Sequence, residues 1–117
     1  MKARQLAVHI SANDVHNGEP LHDAILKRFN LAGFAGATVY KAFEGFGAHH
    51  QIHRDHMLGM HREAPIVVLM VDSEANVAKA RAILDGMLTH GAVVVSEVEV
   101  TFYGPSAEGK GGAEPPA

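Results

Sequence analysis

The sequence predicts an α+β protein with the ferredoxin-like βαββαβ fold, a four-stranded antiparallel sheet with two helices on one face. Two observations lead to this fold class. Apolar residues alternate with polar ones in some segments and recur every three or four residues in others, which predicts strands and helices respectively. Along the chain these segments follow the order strand, helix, strand, strand, helix, strand, and in that order both helices pack on the same sheet face.

The first half of the chain supplies one strand and one helix. Residues 6–11 alternate between apolar and other side chains, which predicts a strand with one apolar face. Asn13-Asp14 and Asn17-Gly18 end this strand, because these residue types favour turns. Pro20 suits the first turn of a helix, and Gly33 suits the left-handed position after its end. The helix carries an apolar stripe of Leu21, Ala24, Ile25, Phe29 and Ala32.

The middle of the chain supplies two strands joined by a long loop. The second strand is predicted from about Gly36 to Glu44, and the loop from Gly45 to Ala64, a length typical of functional or disordered loops. The run Ile66–Val71 is apolar without alternation, which predicts a central strand buried from two sides. Because both helices occupy one face, another surface must cover the second face, and copies of the same chain are the simplest candidate. We therefore expect an obligate oligomer.

The last part of the chain supplies the second helix and the fourth strand. Asp72 or Ser73 can cap this helix, and Gly91 ends it. Its apolar stripe comprises Val77, Ala80, Leu84, Met87 and Leu88. The fourth strand is predicted from Ala92 to Tyr103, with inward side chains at Val98, Val100 and Phe102. We expect residues 1–103 to form one domain and the Gly- and Pro-rich residues 104–117 to form a disordered tail.

Composition limits the classes of function. With 117 residues, of which 47% are hydrophobic and 20% are charged, the chain has the size and balance of one globular domain. The absence of cysteine excludes disulfides and thiolate chemistry. A formal net charge of −3 without a basic run argues against nucleic acid as a partner. No apolar run is long enough to span a bilayer or to form a secretory segment, so we expect a cytoplasmic protein without membrane insertion.

The stretch Gly33–Gly47, followed by Ile52-His53, Ala64–Val68 and Val71-Asp72, resembles a known family. It is similar to the PII-like proteins of unknown function, which are related to the nitrogen-regulatory PII proteins and to the CutA proteins. The resemblance implies a ferredoxin-like homotrimer whose open sheet faces turn inward. It also implies an adenine nucleotide or similar effector in the clefts between subunits, and a loop at residues 45–64 that engages a transporter or an enzyme.

One region departs from the pattern of the PII proteins. Those proteins hold phosphates with basic residues in the turn before the last strand and within that strand. Here residues 89–103 contain neither Lys nor Arg. A smaller or less charged ligand, or arginines from elsewhere such as Arg4, Arg54 or Arg62, would have to serve instead.

The candidate effector site lies where the second strand ends. Glycines allow a ligand to approach backbone N–H groups closely, because they have no Cβ. Turns and helix ends are the alternative explanation for the glycines, above all for Gly33 and Gly91, and an ordinary strand position is the alternative for Thr38. The predicted ligand-binding residues are Gly36, Thr38, Gly45, Phe46, Gly47, His53, Arg62 and Gly91.

The histidines suggest a second kind of site. Of the nine histidines, five lie between His49 and His61. If this stretch is helical, His49, His53 and His56 share one face and could ligate a divalent metal such as zinc, copper or nickel. A solvated loop that takes up metal adventitiously is the alternative. His9 lies on the strand face opposite Leu6, where three copies could meet in a trimer.

Catalysis is not expected from this sequence. Ser11, Ser73 and Ser96 have no histidine that sequence spacing would place beside them. We therefore expect a PII-like signalling protein rather than an enzyme. It would sense a nucleotide or metabolite in clefts between subunits and regulate a partner through residues 45–64. A metal-binding, CutA-like trimer that uses the loop histidines is the alternative.

Overall fold

The computed structural model describes residues 2–46, 53–54 and 64–104, with residues 53–54 described by their backbone alone. Four of its strands form one antiparallel sheet in the order β4-β7-β1-β8, which confirms the predicted fold class. Two short ribbons, β2–β3 and β5–β6, lie outside this sheet. The elements are β1 (Lys2–Ser11), β2 (Val15–His16), β3 (Glu19–Pro20), α1 (Leu21–Leu31), β4 (Thr38–Lys41), β5 (Glu44–Gly45), β6 (His53–Arg54), β7 (Pro65–Asp72), α2 (Glu74–Asp85) and β8 (Ala92–Glu99).

The hydrophobic core lies between the sheet and both helices. Alternate residues of the two central strands point into it, and Leu6, Val8 and Val68 are fully buried. These residues form one cluster with apolar side chains of both helices, so α1 and α2 lie on the same face of the sheet, as the element order predicts. The helices contribute Leu21, Ala24, Ile25 and Phe29 from α1 and Val77, Ala80 and Leu84 from α2.

The other face of the sheet, called the open face below, is also largely apolar. The prediction that Ile66–Val71 forms a central strand is confirmed, since β7 pairs with β4 on one side and β1 on the other. Within one chain, however, the open-face residues of β7 are only half-buried. The open face comprises Gln5, Ala7 and His9 of β1, Val67, Leu69 and Val71 of β7, Tyr40 of β4 and Val94 of β8.

Helix α1 ends in a Schellman motif. The N–H of Gly33 donates to the carbonyl of Asn30, and the N–H of Phe34 donates to the carbonyl of Phe29. Gly33 adopts a φ of +80°, which confirms its predicted left-handed position. The rings of Phe29 and Phe34 meet edge to face with centroids 5.4 Å apart, the apolar contact that accompanies this motif. At the other end, Pro20 precedes α1 rather than lying in its first turn.

Helix α2 is shorter than predicted. Ser73 is its N-cap, because its hydroxyl accepts a hydrogen bond from the N–H of Asn76 at 3.1 Å. The helix ends at Asp85 and not at Gly91. Met87 and Leu88 nevertheless pack on the core from the following turn. The apolar spacing therefore predicted correctly that Met87 and Leu88 face the core, but it did not predict where the helix ends.

Two strands are also shorter than predicted, and each of them ends where its partner strand begins or ends. β8 ends at Glu99 instead of Tyr103, because Glu99 already pairs with Lys2, the first residue of β1. β4 does not extend from Gly36 to Glu44. After β4 the N–H of Ala42 donates to the carbonyl of Pro65, the first residue of β7. A strand ends where its partner ends, which its own sequence does not reveal.

The orientation of β8 differs from the prediction. The helix-facing residues are Val93 and Val95, whose ladder partners in β1 belong to the buried core. Val98 instead pairs with Ala3 on the side of the open face, and Phe102 is 80% exposed. Val98, Val100 and Phe102 therefore do not form an inward row.

A small hairpin between β1 and α1 follows the predicted turn residues. β2 pairs with β3 around Asn17 and Gly18, whose φ angles of +50° and +83° are typical of a type I′ turn. The sequence predicted the turn but not the ribbon. Neither of the described helices is long and apolar enough to cross a membrane.

Candidate functional site

The predicted ligand-binding residues of the second strand lie at opposite ends of β4. Thr38 begins β4 beside Leu69, and Gly36 precedes it. Gly45 lies beyond the other end of β4, next to Pro65. Because an extended strand rises about 3.3 Å per residue, these residues form two separate groups within one chain.

Gly36 and Thr38 line an apolar cavity of about 360 Å³, called the Thr38 cavity below. A Cβ at Gly36 would meet no atom within 4 Å, so the missing side chain leaves free space there. The space is largely open to solvent, and Thr38 and Tyr103 are the hydroxyl-bearing residues that line it. Its lining consists of Ala35, Gly36, Ala37, Thr38, Leu69, Met70, Val71 and Tyr103. The sequence analysis assigned Tyr103 to a strand and did not predict this position.

A buried carboxylate holds the wall of this cavity in place. Asp72 accepts hydrogen bonds from the N–H of Ala35 at 2.8 Å, the N–H of Ser73 at 2.7 Å and the side-chain amide of Asn76 at 3.0 Å. A second cavity of about 370 Å³ lies on the other side of the segment Phe34–Ala37. Although this segment has open space on both sides, hydrogen bonding to Asp72 holds it together with the packing of Phe34 and Ala37 on the core.

Gly45 forms the root of the long loop. It pairs with His53 between β5 and β6, so these two predicted site residues are brought together. A Cβ at Gly45 would lie 3.2 Å from Cγ of Pro65, which shows how closely the loop root packs on β7. Phe43 and Phe46 expose their rings beside it. The loop root thus presents exposed aromatic surface, whereas Pro65 occupies the space beside Gly45.

Gly91 lies at the same end of the sheet as the loop root, but at the opposite edge. It adopts a φ of +107°, and a Cβ there would lie 2.6 Å from the carbonyl oxygen of His9. This close approach of two backbones accounts for the glycine by structure alone, in agreement with the turn explanation. β7 and β1 separate the two edges, so Gly91 and Gly45 do not meet within one chain.

The side chain of His90, in the turn before Gly91, is hydrogen-bonded to Thr89 on one side and to Asp14 on the other. Nε2 of His90 lies 2.9 Å from Oδ1 of Asp14, and its Nδ1 lies 3.1 Å from Oγ1 of Thr89. The N–H of Ser11 donates to the other carboxylate oxygen of Asp14 at 2.9 Å. The side chain of Asp14 is only 11% exposed, whereas that of His90 is 69% exposed. An accessible imidazole is therefore held by an anchored carboxylate.

The sequence analysis missed this arrangement. Asp14 and His90 are 76 positions apart, and they meet because β1 and β8 are neighbours in the sheet. The hydroxyl beside a histidine belongs to Thr89, whereas only serines were considered from the sequence. An imidazole between a carboxylate and a hydroxyl can accept or donate a proton at its second nitrogen.

Several predicted residues lie outside the described part of the chain. These are Gly47 and Arg62 of the ligand set and His49 and His56 of the metal set. The metal site therefore stays a prediction. Within residues 2–46, 53–54 and 64–104, no group of three or more His, Cys, Asp or Glu residues could hold a metal ion. His9 lies on the open face, opposite Leu6, as predicted, and it is exposed within one chain.

Comparison with known proteins identifies one family. The family model DUF190, described as "Uncharacterized ACR, COG1993", matches residues 3–100. A UPF0166 protein of Aquifex aeolicus is 26% identical over 102 residues, which cover 87% of this chain and 96% of that protein. A UPF0166 protein of Methanocaldococcus jannaschii is 26% identical over 101 residues, which cover 86% of this chain and 93% of that protein.

Solved structures share the fold. CPII, a nitrogen regulatory PII-like protein from Thiomonas intermedia K12 bound to ADP, AMP and bicarbonate, is similar with a TM-score of 0.59 and 17% identity, covering 86% of this chain and 89% of that chain. A second structure of CPII, bound to ADP and bicarbonate, gives a TM-score of 0.55 and 18% identity over the same shares of both chains. The PII-like fold implied by the resemblance is thereby confirmed.

Proposed function

We propose that this chain, which belongs to the DUF190 family and has a PII-like fold, is an effector-sensing protein that binds an adenine nucleotide between copies of itself. The observation that carries the proposal is the position of Gly45 and Gly91, at one end of the sheet but on its opposite edges. In a closed head-to-tail assembly, opposite edges of neighbouring copies meet. The loop root of one copy then faces the turn at residues 89–91 of the next.

The open face supports a homotrimer as the assembly. Val67, Leu69 and Val71 are half-buried there, and the exposed rows continue through Tyr40 and Val94 on the two edge strands. An apolar surface that spans a whole sheet face is unusual on a monomer and typical of a subunit contact. Three copies with their open faces turned inward would cover it. We expect sedimentation to give a trimer.

The choice of an adenine nucleotide rests on the structural neighbours and on the surface at the loop root. Both structures of CPII contain ADP, and one also contains AMP. In this chain the exposed rings of Phe43 and Phe46 provide the kind of surface on which a purine base stacks. A stacked base is held by its faces, which does not need the Lys and Arg side chains that residues 89–103 lack.

The signal passes through the loop at residues 45–64. A ligand at the loop root would contact Gly45 and Phe46 and so favour one arrangement of the residues that follow, which changes the surface offered to a partner transporter or enzyme. In hydrogen exchange, AMP should raise the protection of backbone amides within residues 45–64. Equal protection with and without bound AMP would contradict this mechanism.

Calorimetric titration of the metal-free full-length protein with AMP and ADP tests the function. Phe46→Ser should weaken nucleotide binding about tenfold or more, because a stacking contact contributes about 1–3 kcal/mol per base. Leu31→Ser is the matched control, since it removes another exposed apolar side chain, at the end of α1. If no nucleotide binds, the proposal is wrong. Heat from zinc alone, lost in the combined His49, His53 and His56 to Ala variant, would support the metal-binding alternative.

A further inference from the structure

We propose that His90 is the residue that meets the anionic part of the effector, and that it does so only in its protonated form, so that effector binding takes up a proton. The inference rests on the proposed function and adds a regulation to it. The inference assigns a ligand contact to the hydrogen-bonded residues Thr89, His90 and Asp14, and it makes the protein's response to its effector depend on pH.

His90 is the one basic side chain that the β8 edge offers to an anionic ligand. An anionic ligand needs a positively charged or N–H donor partner. Residues 86–103, which form the α2–β8 turn, β8 and the segment after it, contain no Lys or Arg, and His90 is their single histidine. His90 is also accessible, with 69% of its side chain exposed. If the β8 edge contributes a cationic side chain to the cleft, that side chain is His90.

Asp14 determines which ring nitrogen of His90 carries a proton. Asp14 can only accept a hydrogen bond when ionised, so its contact with Nε2 at 2.9 Å places a proton on that nitrogen. A neutral ring then presents a lone pair at Nδ1, which repels an anion. A protonated ring presents N–H at the same position, which binds one. Asp14 thus converts the protonation state of His90 into a choice between rejecting and accepting an anionic ligand.

Nδ1 of His90 lies beside the side chain of Thr89. Thr89 lies 3.1 Å away through its hydroxyl, which can donate to the neutral ring or accept from the protonated one. The hydroxyl of Thr89 is therefore compatible with both the neutral and the protonated form of His90, and it can contact the ligand as well. The charged group bonded to the ring is Asp14 from the turn after β1, and the backbone packed beside the turn is the carbonyl of His9. The turn is thus held in place, and a ligand anion that reaches Nδ1 would share it with the hydroxyl of Thr89.

The test is the affinity for AMP, measured by titration calorimetry at about pH 6 and about pH 8, the range in which histidine side chains ordinarily titrate. Affinity should fall by up to about tenfold per pH unit on the alkaline side, because each bound ligand needs one proton. Titration in two buffers of different ionisation enthalpy should show uptake of close to one proton per site. His90→Gln should abolish both effects, and His16→Gln, in the neighbouring hairpin, should leave both unchanged.

Asp14→Asn distinguishes this role from a structural one. An asparagine amide can donate to Nε2, so the neutral ring can then carry its proton on Nδ1 and bind the anion without further protonation. We expect a flattened pH profile with binding retained at about pH 8. AMP bound without proton uptake, or a His90→Gln profile like that of the native protein, would overturn the inference and leave the proposed function standing. Absence of any nucleotide binding at either pH would overturn both.

Discussion

The two connections between a helix and an edge strand occupy equivalent places in the two halves of the fold, yet they are built in opposite ways. The segment Phe34–Ala37 joins α1 to β4 and has a cavity on either side. The segment Gly86–Gly91 joins α2 to β8 and presses directly on β1, where Gly91 reaches the carbonyl of His9. The first is held by a hydrogen bond to the buried carboxylate of Asp72 and by the contact of Phe34 with Phe29, and the second is held by backbone contact.

The loosely packed connection leaves open space beside the start of β4, and the small residues there keep that space free. The tightly packed connection fixes the position of His90 and Thr89 on the β8 edge. The two connections lie at opposite ends of the sheet, so the Thr38 cavity is separate from the proposed cleft between the loop root and residues 89–91.

The largest loss of stability is expected when a side chain is added to the tightly packed connection, Gly86–Gly91. Gly91→Ala places a Cβ 2.6 Å from the carbonyl oxygen of His9 and forces an L residue to a φ of +107°. Backbone strain and overpacking together should lower the free energy of unfolding by about 4 kcal/mol. Gly36→Ala is the matched control in the loose connection, where no atom lies within 4 Å, and should change it little. Urea denaturation measures both, and equal losses would remove the contrast.

The next effect concerns the carboxylate that holds the loose connection. Asp72→Ala leaves three donors, including the N–H of Ala35, without their buried acceptor, and should cost about 3 kcal/mol in urea denaturation. Asp72→Asn keeps one acceptor oxygen and should cost less. The amide of Ala35 should lose protection from hydrogen exchange in the Ala variant. Full retention of that protection would mean that packing, and not Asp72, fixes the segment.

A smaller loss of stability is expected when the contact between His90 and Asp14 is removed. The pair of His90 and Asp14 is partly exposed, so His90→Ala should lower the free energy of unfolding by about 1 kcal/mol or less. Thermal denaturation at neutral pH measures this value. A loss comparable to that of Gly91→Ala would show that His90 supports the fold itself and would weaken its assignment as a ligand contact.

The smallest effect concerns the exposed pair that ties the β2–β3 hairpin to α1. Lys27 donates to Glu19 at 3.0 Å, and this hydrogen bond and the charge of Glu19 raise the pKa of Lys27 above its ordinary value of 10.5. A raised pKa stabilises the folded state below the ordinary value, and the contribution is lost as pH rises through the folded-state pKa. Lys27→Met should therefore lower Tm slightly at neutral pH and not at strongly alkaline pH. Lys79→Met on α2 is the control, and a difference that persists in alkali would contradict the assignment.

The features that local patterns determine were predicted from the sequence. Apolar periodicity predicted the element order and the core-facing residues of β1 and of the helices, because burial on one face imposes a fixed spacing on a strand or helix, but it did not predict those of β8. Gly33 and Ser73 were recognised because helix ends need particular backbone and side-chain geometry. The end of β8 was not, since it depends on where β1 begins.

The candidate site was predictable only in part. Gly36 and Thr38 were assigned to one ligand site with Gly45, but β4 separates them within a chain. The contribution of Tyr103 to the Thr38 cavity requires the chain to leave the sheet at Glu99, which no local pattern indicates. The contact of His90 with Asp14 likewise arises from strand order and not from spacing. The site depends on contacts between segments that are distant in the sequence, and patterns within a single sequence do not reveal such contacts.

The most direct test of the central claim, that two copies of the chain share each effector site, is complementation between two inactive variants. Phe46→Glu blocks the β4 edge with a charge, and Thr89→Trp blocks the β8 edge with bulk. Each variant alone should fail to bind AMP. The two variants are mixed in equal amounts, unfolded and refolded together. In a head-to-tail ring, about one quarter of the clefts should then combine an intact β4 edge from one copy with an intact β8 edge from the next. Binding of AMP at about that fraction of sites is the predicted result. A mixture as inactive as its components would contradict a shared site.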